Sequence, residues 1–229
     1  MSMQSLNEPL GVKPRHNRLS VIALLMANAV PLLGVLLYGW NVVFVLALFW
    51  IENLIVGVFN LVKMLAVVVR DRRYSELLMC AFFIVHYGFF CMAHGTLLWS
   101  LLDLGPLNVD GYFPNHGSGL FGLFAEGATV FMSFVEQFGT PLRWAILALI
   151  LSHGVALIEN FVLQGGVLDE RINRLMGAPY PRIIIMHVGL LVGAIVLEKL
   201  GSPTWLLVIL VGAKIVVDVS RYRTNKAQL

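Results

Sequence analysis

Apolar stretches of eighteen or more residues recur from Leu19 to the C-terminus, and each is long enough to cross a hydrocarbon layer roughly 30 Å thick. A chain with so many of them cannot hide its apolar surface in a water-soluble core. Of its 229 residues 59% are hydrophobic and 13% charged, with a mean hydropathy of +0.83, whereas soluble domains carry roughly 25% charged residues. The fold class expected is therefore all-α: a polytopic transmembrane helical bundle of about six spans, filling residues 1–229 as one domain.

The helices expected are Leu19–Tyr38, Val42–Val69, Leu77–Leu102, Leu142–Gln164, Arg182–Leu200 and Thr204–Val219. Between the third and fourth lies Asp103–Ser118, rich in Gly, Pro, Asn and Asp and read as a loop. Gly119–Phe138 follows, with five phenylalanines but also Glu126 and Glu136; it either spans or lies in the interface as an amphipathic or re-entrant helix. Basic residues arbitrate. Lys13, Arg15 and Arg18, then Arg70, Arg72 and Arg73, then Arg171, Arg174 and Arg182, then Arg221, Arg223 and Lys226 can all face the cytoplasm only if Gly119–Phe138 does not cross. Six spans with residues 1–18 and 220–229 as cytoplasmic tails in the inner (plasma) membrane is the preferred topology, and seven spans the alternative. The first helix is expected to be a retained span, since no small-residue cleavage site follows it.

An internal repeat marks the polar residues. Ile51-Glu52-Asn53 recurs as Ile158-Glu159-Asn160, and each is followed by a His-X-Gly in apolar context, at His86 and at His187. Glutamate and histidine are 34 residues apart in the first copy (about 42–102) and 28 in the second (about 142–200). Ionisable residues are rare in membrane helices and mark sites there, and bundles built from repeats house their sites at the repeat interface. The repeat predicts a four-helix core on which Glu52, His86, Glu159 and His187 converge.

Imidazole and carboxylate are ligands that zinc, iron or manganese accept, and a divalent cation would neutralise glutamates that are costly to bury alone. Those four residues are the expected metal ligands, with His94, His153, Asn53 and Asn160 as auxiliary groups. His94 follows His86 by eight residues, placing the two about 12 Å apart on broadly one side of a helix, too far to share an ion. The Glu-X-X-His spacing of di-metal bundles is absent. Against this stands a plainer reading, in which glutamate and histidine pair across helices and Asn28, Asn53, Asn60 and Asn160 hold helices together. Lys214, Asp218 and Arg221 are read as structural, Gly189 and Gly193 as a small-residue pair for close helix approach, and Trp40, Trp99, Trp144 and Trp205 as interface anchors.

Other chemistries lack a motif. No nucleophile elbow, His-Glu-X-X-His or phosphate-cradling Gly-X-X-X-X-Gly-Lys occurs, and the basic residues of loops and tails report orientation and not nucleic acid. Cys80 and Cys91 lie too far apart on one helix to form a disulfide.

The strings FWIENLIVGVFNLVKM and FFIVHYGFFCMAHG, with Trp50, Glu52, Asn60, His86, Tyr87, Gly88, His94 and Gly95, resemble a family of uncharacterised prokaryotic multi-pass membrane proteins. The resemblance supports the choice of residues and implies no activity. The function expected is thus a buried Glu/His transition-metal site in a metal-dependent membrane enzyme or metal-handling protein. The alternatives are a proton- or cation-coupled transporter, a haem protein ligated by His86 and His187 or a quinone-binding one, and a structural subunit. The partners expected are the lipid bilayer and a metal ion or lipophilic small molecule.

Overall fold

A computed structural model of the chain describes residues 32–163, 166–213 and 215. Both tails, most of the first helix with Asn28, and Lys214, Asp218 and Arg221 lie outside the described residues, as does the side chain of Asn160. Among the described residues every regular element is helical. We number them α1 (32–38), α2 (Val42–Asp71), α3 (Leu77–Leu101), α4 (Val109–Tyr112), α5 (Leu120–Ala156), α6 (Gly166–Asp169), α7 (Ile172–Gly177), α8 (Tyr180–Leu200) and α9 (Pro203–Ala213). α5 runs on through a π-helical stretch, Leu157–Leu163.

Four helical stretches are long and apolar enough to cross a membrane: Val42–Asp71, Tyr74–Leu101, Leu120–Leu163 and Ile172–Leu200. Their outer faces are apolar at helical spacing. Val58, Val62, Leu65 and Val69 on α2, Leu78, Phe82, Val85 and Phe89 on α3, and Ile184, Val188, Leu191 and Ile195 on α8 are all exposed, each set stepping by four, three and four residues. A soluble helix turns its polar face outward; these helices turn hydrocarbon outward, as contact with lipid requires. The fold is the polytopic helical bundle that the sequence implied.

Local chemistry sets the helix ends. Asn41 caps α2 by accepting from the Phe44 amide, 3.2 Å away. Within Leu120–Ala156 the helix breaks at Gly139, whose φ of 57° suits glycine alone, two residues before Pro141. The break divides it into α5a (120–138) and α5b (140–156).

Side-chain contacts give the helix directions. Trp50 meets Cys91 and Gly57 meets Tyr87, so α2 and α3 are antiparallel. Phe44 packs on Phe138, Phe59 on His153 and Lys63 on Phe161, so α5b with its π-helical extension runs parallel to α2. His86 meets Tyr180 and His94 meets His187, so α8 runs parallel to α3. Arg70 Nη2 donates to the Glu170 carbonyl at 3.1 Å, bringing the Arg70–Arg73 and Arg171–Arg174 turns to one end of the bundle.

α5a is the segment that the sequence left open. Gly88 faces Phe124, Met92 faces Gly127 and Trp99 faces Phe134, so α5a rises parallel to α3 and ends beside Phe44. Residues 103–138 therefore leave the far end of α3, descend as a loop to the level of Gly88, and return as α5a to the end from which they came. This re-entrant hairpin keeps both basic turns at one end, which a seventh crossing would not.

The core is built from Leu46, Trp50 and Ile51 of α2, Leu98 of α3, Phe134 and Leu142 of α5, Leu190 of α8 and Leu206 and Leu207 of α9. Gly189 and Gly193 admit α9 against α8, because a Cβ at either would strike Leu210 or Leu206. Trp99 is not an interface anchor. It is 9% exposed and its Nε1 donates to the Gly105 carbonyl at 2.7 Å, tying the loop to the end of α3, while Trp40, Trp144 and Trp205 are exposed.

Candidate functional site

Two histidines on one side of α3 come to different depths. His86 and His94 of α3 are two turns apart with Phe90 between them, ring centroids 5.1 Å and 6.3 Å from it. α8 packs alongside, offering Tyr180 and His187 to that face and Arg182 to α2. Three polar contacts result, stacked along the bundle.

Arg182 Nη2 lies 2.5 Å from Glu52 Oε1, pairing the base of α8 with α2. Both side chains are partly buried, so the pair is held more firmly than a solvated one. Beside it His86 Nδ1 lies 2.7 Å from the Tyr180 hydroxyl, with Phe82 stacked on the imidazole at 5.0 Å between centroids. About two turns further along, His94 Nε2 lies 3.0 Å from His187 Nδ1. His94 is 3% exposed, walled by Phe90 and by Gly95 with Trp50 beyond it, whereas His187 is exposed on the outer face of α8.

One proton is shared at the His94–His187 contact, and its owner follows from what else each ring touches. Nδ1 of His94 is buried without a hydrogen-bond partner. If His187 donated, that Nδ1 would carry a buried, unsatisfied N–H; if His94 donates from Nε2, it carries only an unused lone pair. An orphaned donor is the rarer and costlier case, so His94 is assigned as donor and His187 Nδ1 as acceptor.

Of the asparagines, Asn53 and Asn60 join helices. Asn53 Nδ2 donates to the Phe49 carbonyl at 3.0 Å and reaches Met186 Sδ at 3.2 Å, while its own carbonyl accepts from the Tyr87 hydroxyl at 2.9 Å. Asn60 Nδ2 donates to the Leu175 carbonyl at 2.9 Å, fastening α7 to α2. His153 bonds within its own helix to the Leu149 carbonyl at 2.9 Å and stacks on Phe59, away from the other histidines.

The four expected ligands do not share a point. Glu159 sits in the π-helical stretch, exposed, between the levels of the Phe59–His153 and Lys63–Phe161 contacts; Glu52 is about ten residues higher on α2, roughly 15 Å away along the axis. His187 stands level with His94 and not with His86. Among the described residues no group of three or more His, Cys, Asp or Glu side chains is arranged to hold a metal ion. The repeat aligned His86 with His187, and the fold pairs His187 with His94 instead.

Arg182 and Tyr180 were missed as site residues. Arg182 was read as one of the basic residues of a loop. The signal was in the periodicity of α8: Ile183, Met186, Gly189, Leu190 and Gly193 are buried, and Arg182 lies one turn below Met186 on that inward face.

A family profile for DUF6498, described as a family of unknown function, matches residues 12–229. The chain belongs to that family. No curated protein and no solved structure matches the chain significantly.

Proposed function

We propose that the chain is a proton- or cation-coupled membrane transporter whose exchange site is the His94–His187 pair. The observation that carries this reading is the 3.0 Å contact between two imidazoles on different spanning helices, one buried with a free ring nitrogen and one exposed. Ionisable groups at such depth are expensive to keep and mark ion or proton routes. A proton arriving at Nδ1 of His94 releases its Nε2 proton to Nδ1 of His187, whose own Nε2 proton passes to water or transported solute that reaches that ring. Each ring gains one proton and loses one. The starting tautomers return when the two rings separate and each gains a proton at Nε2 and loses one at Nδ1. Glu52–Arg182 and His86–Tyr180 set the packing of α8 against α2 and α3 below the pair. By the excess of arginine in the 70–73 and 171–174 turns, this reading puts that end, and both termini, in the cytoplasm of an inner-membrane protein.

The test is proton flux in proteoliposomes loaded with a pH-sensitive dye, under an imposed potential and with a panel of solutes. Wild-type vesicles should acidify faster than those holding His94→Gln or His187→Gln. Wild-type rates equal to those of empty vesicles across the panel would overturn the reading.

The same contact favours a second reading, a transition metal held by His94 and His187 with non-protein ligands completing its shell. Two nitrogens bound tetrahedrally to one zinc at ~2.05 Å stand about 3.3 Å apart, close to the separation here. Metal analysis of the purified chain decides it: one equivalent that is lost in His187→Gln supports the metal, and background content removes it.

A further inference from the structure

A second site lies in the re-entrant hairpin, apart from the histidine pair. Between the descending loop, α3 and α5a is a cavity of about 910 Å³, lined among others by Met92, Tyr112, Phe113, His116, Phe121 and Phe124. That is at the upper end of the range for small-molecule pockets. Met92 is fifteen residues into the 25-residue α3, so the cavity reaches well below the end of the bundle where the loop begins. Phe121 at its edge is 81% exposed, on a surface that otherwise faces lipid.

Charge decides what such a cavity accepts. From Tyr74 to Leu142 the chain carries no lysine or arginine, but five carboxylates, at Glu76, Asp103, Asp110, Glu126 and Glu136. Two of these lie beside lining residues. Asp110 Oδ1 lies 3.5 Å from Nδ1 of His116, which also lies 3.1 Å from the Phe113 carbonyl. The neighbouring Glu136 carboxylate raises the Tyr112 phenol above its ordinary pKa. Aromatic faces with carboxylates beside them form an environment that favours positive charge twice over, through the ring quadrupoles and through Coulomb attraction. An anionic ligand would meet only repulsion from the charges of this segment.

We propose that this cavity binds a lipophilic organic cation, an ammonium or phosphonium centre on an apolar body, which reaches it from the membrane. The apolar body fills the space between Met92, Phe121 and Phe124, and the charge lies toward Tyr112, Phe113 and the Asp110 side. The site is independent of proton exchange at His94 and His187.

The probe is tetraphenylphosphonium, with tetraphenylborate as its counterpart of the same shape and opposite charge. Binding to the full chain in non-ionic detergent is measured by calorimetry, with protein-free micelles subtracted. Saturable binding of one phosphonium per chain is expected, weakened at least fivefold by Asp110→Lys. That side chain is 88% exposed, so the substitution changes charge without disturbing packing. Phe113→Leu should also weaken it and gives a second reading on the aromatic wall. Absence of saturable phosphonium binding, borate binding as tightly as phosphonium, or indifference to Asp110→Lys would each overturn the proposal.

Discussion

Arg182 of α8 reaches across the bundle to Glu52 of α2, Nη2 to Oε1 at 2.5 Å, although sequence places the two 130 residues apart. The pair is partly buried, 27% and 18% exposed at the side chains, so each charge depends on the other for solvation. Glu52→Gln or Arg182→Met should therefore cost about 2–3 kcal/mol, the magnitude of a lost hydrogen bond between charged groups with one left behind. The double replacement Glu52→Gln with Arg182→Met should cost less than the two single changes summed. Thermal unfolding of the four proteins in detergent, arranged as a double-mutant cycle, reads the coupling; additive losses would mean that the pair does not interact.

How far the sequence was legible follows from residues of this kind. The spanning helices and the loop after α3 could be read because hydropathy and turn chemistry are local. Pairing is not local. The repeat set His86 beside His187 because both precede X-Gly, yet α8 begins level with His86, nine residues or ~14 Å into α3. Its start is raised by α7, which packs on α2 through the Asn60–Leu175 bond and takes up part of the bundle's depth. That offset of two turns brings His187 to His94, and no periodicity in either helix encodes it.

Trp50 is fully buried and its indole N–H donates to the Cys91 carbonyl at 2.7 Å, a backbone acceptor on the neighbouring span. Trp50→Phe removes the donor and part of the ring that rests on Gly95. The expected loss is about 2–4 kcal/mol, the sum of one hydrogen bond and a core cavity. Tryptophan fluorescence cannot report this variant cleanly, so far-ultraviolet circular dichroism on heating is the measurement; an unchanged midpoint would show that the contact carries no stability.

Gly193 lies where a Cβ would strike Leu206, and Gly189 where one would strike Leu210. A bulky residue there pushes α9 off α8, whereas alanine asks only that the end of a leucine side chain turn aside. Gly193→Ile should lower stability by about 1–3 kcal/mol and Gly193→Ala by less, following the usual cost of overpacking. Equal midpoints for Gly193→Ile and wild type would mean that α9 does not pack as described.

The hairpin topology can be read from the two faces of a membrane. Cys80 and Cys91 are buried at 3% and 2% exposure, which leaves the wild-type chain with little background for a membrane-impermeant thiol reagent. Arg73→Cys and Asn173→Cys mark the end where the Arg70–Glu170 bond joins the two basic turns, and Asn115→Cys marks the loop that descends beside α3. In sealed inverted vesicles the first two should label and the third should not; in right-side-out vesicles the pattern should reverse. Because α5a returns to the end from which its loop departed, residues 73 and 173 must always label together. Opposite labelling of Arg73→Cys and Asn173→Cys would require 120–138 to cross the membrane, and would turn the second helix pair upside down relative to the first.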